Sequence, residues 1–176
     1  MKYRELKIKG VYEISPISFM DNRGLFRRNF CKTEFAKNKI NNNVFQANIS
    51  ENYHKYTLRG FHYQIGRNAE AKTITCINGK AFDIVVDLRK KSKTYLKWVG
   101  LTLSSKNRKS IHIPKGCANA FLTLEKNTIF HYYSSNNYDP LSERGVRYND
   151  NLFNFRWPRK PKFISDKDMN WENFKS

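Results

Sequence analysis

Thr73-Ile-Thr-Cys-Ile-Asn-Gly-Lys-Ala-Phe-Asp-Ile-Val-Val-Asp-Leu88 is the stretch that decides the fold class. Thr73 to Ile77 and Ala81 to Leu88 are rich in β formers. Asn78-Gly79 stands between them, and a type I′ turn favours that pair because both of its central positions need positive φ. The segment therefore reads as a β-hairpin. Outward from it, Tyr95 to Leu103 carries Leu96 and Trp98, and Ile111 and Ile113 alternate with His112 before the Pro114-Lys-Gly116 turn. Ala120 to Leu124 and Thr128 to Tyr133 flank Glu125-Lys-Asn127 and predict a second hairpin. Strands at this spacing, joined by short turns, predict a mainly β chain built as an antiparallel sandwich or barrel. Thr33 is expected to cap a short helix from Glu34 to Lys39. Asn41-Asn-Asn43 reads as a loop, and the chain after Trp157-Pro158 as an irregular surface wrap. No repeat or Gly/Ser linker divides residues 1–176, which predicts one domain.

Composition narrows the classes further. The 176 residues carry 33 Lys and Arg against 15 Asp and Glu, a formal charge of +18. Such a balance suits either a phosphate-tracking surface or a basic protein with a small anionic ligand. The basic residues are dispersed. Their two short runs, Arg89 to Lys93 and Arg156 to Lys162, lie on no amphipathic helix, and no helix-turn-helix or paired-Cys finger accompanies them. Nucleic acid is therefore not an expected partner. Cys31, Cys76 and Cys117 are odd in number and far apart, as expected of reduced thiols in a cytoplasmic protein. The start of the chain lacks an apolar signal segment, and no run approaches membrane-spanning length.

The densest chemical patch is Thr57-Leu-Arg-Gly-Phe-His-Tyr-Gln64. His62 and Gln64 share a strand face, and Arg59 is a natural clamp for phosphate. A lone histidine there is otherwise an ordinary satisfied strand residue. The four histidines, His54, His62, His112 and His131, form no His-x-His pair, so no catalytic metal is expected.

In its motifs the chain resembles the dTDP-4-dehydrorhamnose 3,5-epimerase family across nearly its whole length. The matching segments include Phe19-Met-Asp-Asn-Arg-Gly-Leu-Phe26, Gln46-Ala-Asn48, Leu58-Arg-Gly-Phe-His-Tyr-Gln64, Ala71-Lys72 and Gly79 to Arg89. They continue through Trp98-Val-Gly100, Ile113-Pro-Lys-Gly116, Tyr132, Tyr138-Asp-Pro140, Ser142-Glu143, Asn149-Asp150, Trp157-Pro158 and Ser165-Asp-Lys-Asp168. The resemblance implies a cupin-like antiparallel β-barrel or jelly roll with a few short helices. It implies inversion at C3, C5 or both of a nucleotide-diphosphate 4-keto sugar, without a cofactor. Such reactions serve surface polysaccharide synthesis. By the family pattern His62 is the base, Asp168 its partner, Tyr132 the acid on the opposite face, and Lys72 the cation facing the enolate. Each has a bland rival: Tyr132 sits in an aromatic strand, Lys72 precedes a strand, and Asp168 lies in a charged tail. Arg59 is expected at the diphosphate and Tyr138 on the base. Gln46, Asn48, Asn119, Glu143 and Lys167 complete the expected binding set. Phe19, Arg23 and Phe26, within residues 1–45, are implied to reach a neighbouring subunit's site, hence a homodimer.

Two residues depart from the family pattern. Asn119 stands where the family usually has a histidine; an amide still hydrogen-bonds but does not titrate near neutrality. Arg28 stands where a glutamate usually meets the nucleotide, which brings GDP or CDP sugars, or a heptose, into range. Two other readings of the chain are a 3,4-ketoisomerase on the same scaffold and a non-catalytic basic module that binds sugar or nucleic acid.

Overall fold

The computed structural model describes residues 1–41 and 43–175. Its strands, in chain order, are β1 Lys2–Glu5, β2 Tyr12–Ser15, β3 Ser18–Asp21, β4 Gly24–Arg27, β5 Gln46–Asn52, β6 Leu58–Gln64 and β7 Lys72–Asn78. They continue with β8 Lys80–Asp87, β9 Trp98–Ser104, β10 Ser110–Ile113, β11 Cys117–Thr123, β12 Thr128–Ser134 and β13 Glu143–Gly145. Two short helices are α1 Lys32–Lys37 and α2 Asp166–Met169. A six-stranded sheet runs β1-β2-β10-β7-β12-β5, a five-stranded sheet runs β13-β6-β11-β8-β9, and β3-β4 form a separate hairpin. The named strands pair antiparallel throughout. This is the expected jelly roll.

The core follows from the pleat. Ile74 and Cys76 of β7, Phe130 of β12 and Ile111 of β10 meet Ala81, Val85, Leu103, Cys117 and Phe121 of the opposite sheet. Neighbours in each strand point the other way, and they are covered as well. Ile84, Val86, Ala118 and Ala120 pack beneath Val146, Phe153, Phe155, Trp157 and Phe174. The stretch from Val146 to Trp157 covers the back of the five-stranded sheet, and the irregular segment after Trp157 adds Phe174 to that cover. On the other sheet, Phe35 of α1 packs with Ile14, Ile40, Tyr3, Tyr12 and Phe30.

Neither expected hairpin exists. β7 lies between β10 and β12, so both of its ladder edges are taken, and β8 belongs to the facing sheet. Asn78-Gly79 carries the chain across the gap between sheets. Gly79 has φ +76, whereas Asn78 is not among the positive-φ residues, so the two-position requirement of a type I′ turn is not met. The Glu125-Lys-Asn127 turn makes the same crossing, from β11 to β12. Two further expectations shift. The α1 N-cap is Cys31, which makes no side-chain cap bond, and Thr33 lies inside the helix. Glu34 does sit in the first turn, where it accepts from the Met1 amino group at 2.7 Å. β9 starts at Trp98 because Tyr95 and Leu96 form a turn, with Leu96 at φ 64. Of the expected Asn41–Asn43 loop, Asn42 lies outside the described residues; Asn43 N donates to Asn41 Oδ1 at 3.0 Å.

His112 is buried on β10, with Nδ1 2.9 Å from Thr73 Oγ1. Burial pulls its pKa from 6.5 down to about 4. Between those values the unfolded chain binds a proton that the folded chain does not, so stability falls as pH drops through the window. The loss should total on the order of 3 kcal/mol by pH 4. Urea unfolding of wild type and His112→Gln at pH 7 and 4.5 checks it: the variant should lose distinctly less stability on acidification.

Candidate active site

The polar end of the interior holds the site. Along β7 the inward series is Lys72, Ile74, Cys76; along β12 it is Phe130, Tyr132, Ser134. The register sets Tyr132 opposite Ile74 and Ser134 opposite Lys72. Tyr133 points to the other face, where it meets Phe30 and Asn29. From the facing sheet, β6 brings His62 and Gln64, with His62 in register with Asn119 of β11. A cavity of about 410 Å³ is lined by Gln46, Asn48, His62, Lys72, Tyr132, Tyr138 and Glu143, among others. A second, of about 370 Å³, shares His62, Lys72 and Tyr132 and adds Arg59, Asn119 and an apolar floor of Ile74, Phe121 and Phe130.

His62 is held from behind. Helix α2 is capped by Ser165, whose hydroxyl accepts from Asp168 N at 3.2 Å. That turn aims Asp168 at β6, where Oδ1 lies 2.6 Å from His62 Nε2 and Oδ2 accepts from Gly60 N at 3.0 Å. Asp168 is only 3% exposed. Burial alone would raise its pKa, but the hydrogen bonds from His62 and Gly60 outweigh it and hold the carboxyl below its usual range. A carboxylate on Nε2 fixes the neutral tautomer with hydrogen there, so the Nδ1 lone pair is the basic atom. Gly60 is required at this point: it has φ +110, and a Cβ would stand 2.5 Å from Asn119 O.

On the opposite wall, burial and then the nearby Glu70 carboxylate raise the Tyr132 pKa, so its phenol stays protonated. Lys72 Nζ pairs with Glu70 Oε1 at 3.1 Å. Glu70 was missed in the sequence; its spacing of two from Lys72 was the available signal. Asn52 was missed too. It accepts from Arg59 Nε at 2.8 Å, which steadies the guanidinium and leaves its terminal nitrogens for a ligand. Gln46 Oε1 accepts from Tyr138 N at 3.0 Å, and Tyr138 Oη donates to Glu143 at 2.7 Å. Lys167 also pairs with Glu143. Gln64 lines the cavity but is spent on scaffolding, since it bonds Asn68 O, Asn137 O and Asp139 N.

Five expected binding residues do not line these cavities within one chain; of these, Lys167 lines a neighbouring hollow with His62 and Asp168. Phe19, Arg23 and Phe26 line a separate hollow on the β3–β4 hairpin. Arg28 lies 3.5 Å from Glu34 in an exposed ion pair. Among the described residues no cluster of three metal-ligating side chains occurs, and no helix is long and apolar enough to cross a membrane.

The family model described as dTDP-4-dehydrorhamnose 3,5-epimerase matches residues 5–176. The chain belongs to this family. The dTDP-4-dehydrorhamnose 3,5-epimerase of Shigella flexneri is 36% identical over 177 residues, covering 99% of this chain and 96% of that protein. The crystal structure of the Elizabethkingia anophelis enzyme of the same name superposes with a TM-score of 0.94 at 34% identity, covering 99% and 96% of the two chains. That of the Bacillus anthracis enzyme, with TDP and PPi bound, gives 0.95 at 32% identity, covering 98% and 99%. The protein is thus an isomerase: a cupin-like epimerase of nucleotide sugars.

The geometry predicts that the epimerase depends on Asp168 for more than fold. Asp168→Asn keeps an acceptor for Gly60 N but no longer fixes the His62 tautomer. Turnover should fall by about 10²–10⁴ while the thermal melt moves little. Steady-state kinetics beside circular dichroism checks this.

Proposed function

We propose that this epimerase inverts carbons beside the 4-keto group of a dTDP-linked 6-deoxyhexose by proton transfer between opposite walls of the barrel. One observation carries the reading: His62, backed by Asp168 of α2, stands on the five-stranded sheet, Tyr132 and Lys72 stand on the six-stranded sheet, and one cavity is shared between His62, Tyr132 and Lys72. His62 Nδ1 takes the proton from C3 or C5, and the bonding electrons move to the ketone oxygen as an enolate. The Lys72 ammonium opposes that charge. Tyr132 returns a proton to the opposite face of the same carbon, and solvent restores both groups. The ketone already acidifies its neighbours, so the step calls for no redox partner.

Arg59, steadied by Asn52, suits the diphosphate, and the exposed ring of Tyr138 beside Gln46 suits the base. The bound TDP of the Bacillus anthracis relative supports thymine as that base. Phe19 and Phe26 are 66% and 68% exposed on their hairpin, an apolar pair that supports a homodimer in which residues 1–45 complete the partner's site. Residues 1–176 act as one domain. Three free thiols support residence in the cytoplasm, where the product feeds surface polysaccharide.

Incubation of dTDP-4-keto-6-deoxyglucose in deuterated water is the test. Wild type should place deuterium at C3 or C5 and yield inverted product with the ketone still at C4. Tyr132→Phe should retain deuterium wash-in through His62 but lose inverted product by about 10²-fold or more. Loss of wash-in together with inversion in that variant would assign the base to Tyr132 instead. A carbonyl found at C3 would mark a ketoisomerase. Light scattering should return twice the chain mass, and Phe26→Asp should lower both that mass and turnover; a fully active monomer would reject the shared site.

A further inference from the structure

Asp83 is the most unusual charged residue in the interior. It lies on β8 in the inward series with Ala81 and Val85, and it is 0% exposed. Its Oδ2 accepts from Asn119 Nδ2 at 3.2 Å, and its Oδ1 has no hydrogen-bond partner. It lines none of the three cavities that hold His62, whereas Asn119 lines one of them beside Lys72. Full burial pushes the Asp83 carboxyl well above its ordinary pKa, against the lesser pull of Asn119 and Lys72. A group so placed acts on substrate only through its neighbour.

The neighbour has two ends. Asn119 Nδ2 is committed to Asp83. Among the described residues no donor meets Asn119 Oδ1, yet that atom is not among the buried atoms left without a partner. It is therefore open to the cavity. An amide held this way offers an acceptor to the substrate and withholds its donors. A ketone or enolate oxygen finds no partner in it, but a sugar hydroxyl does.

We propose that Asp83 is a positioning residue that locks the Asn119 amide with Oδ1 toward the cavity, so that Asn119 grips a sugar hydroxyl and the ketone oxygen is left to Lys72. This rests on the substrate reading above. It also gives the chain's departure at Asn119 a role: this side chain, in register with His62, binds the ring without itself taking part in proton transfer. Because the contact is to a hydroxyl that does not change charge, it stabilises ground state and transition state alike, and its loss appears in KM.

Four variants test it by steady-state kinetics with dTDP-4-keto-6-deoxyglucose, each with a thermal melt. Asn119→Ala should raise KM about tenfold with kcat within about threefold of wild type. Asp83→Leu, which cannot accept, should raise KM equally. Asp83→Asn, which still accepts through its amide oxygen, should raise KM less than Asp83→Leu does. The Asp83→Leu/Asn119→Ala double variant should be no worse than Asn119→Ala, because the two act through one contact. A folded Asp83→Leu with wild-type KM would overturn the proposal, as would additive effects in the double variant. A fall in kcat of about a hundredfold in Asn119→Ala would instead make the amide a donor to the enolate and reject the acceptor assignment. If Asp83→Leu fails to fold, Asp83→Ala takes its place: a folded Asp83→Ala with wild-type KM overturns the proposal. Wild-type protein without C3 or C5 exchange would remove the substrate reading, and this inference with it; exchange with unaffected variants removes the inference alone.

Discussion

Every strand near the centre of this molecule is enclosed on both faces, and that constraint organises the rest. β7, β8, β11 and β12 each have two hydrogen-bonded neighbours, so none offers an edge to the turn that follows it. The inward residues must fill the space between two sheets and the outward ones must find cover. The interior is apolar where Cys76, Val85, Leu103 and Phe130 meet, and it becomes polar toward Lys72, His62, Asn119 and Tyr132. The site is the continuation of the core by other residue types. Its walls are as rigid as the sheets that carry them, and this suits a reaction in which a base and an acid must stay on opposite sides of one ring.

Charge is handled locally. Asp168 is buried but receives hydrogen bonds from His62 and Gly60, whereas Asp83 is buried with one oxygen unmatched. Hydrogen bonds hold the first carboxyl below its usual pKa, whereas burial pushes the second well above it. Asp87 shows the other extreme. It accepts from Arg89, Ser92 and Thr94, and these bonds outweigh its burial and bring its pKa to about 2. Arg89, which opens one of the two short basic runs, is thus engaged in this clasp.

The strands were legible because alternation and β-branched content are local properties. Their partners were not. Asn78-Gly79 carries the strongest local hairpin signal in the chain, yet the pairing it suggests loses to β10 and β12, which already occupy both edges of β7. His62, Tyr132, Lys72 and Asp168 were named through family resemblance, and the structure brings them to one place. Residue types alone pointed only to the His62 patch, since a tail aspartate reveals its burial only when its helix docks. Glu70, Asn52 and Asp83 went unnoticed because each acts through a neighbour. Phe19, Arg23, Phe26 and Arg28 lie away from the cavity of their own chain, so their motif did not reveal where they would stand.

The His62–Asp168 pair spans 106 positions of sequence, across most of the barrel. Such a contact closes a long loop, and contacts of that kind form late because the chain must be ordered before they stabilise anything. The segment that brings Asp168 also carries the aromatic rings on the outer face of the five-stranded sheet. One stretch of chain, from Val146 to Phe174, thus both covers that sheet and places the carboxylate on His62. A partly folded chain whose back is still open has an unoriented histidine and cannot act on substrate, so activity itself reports completed assembly.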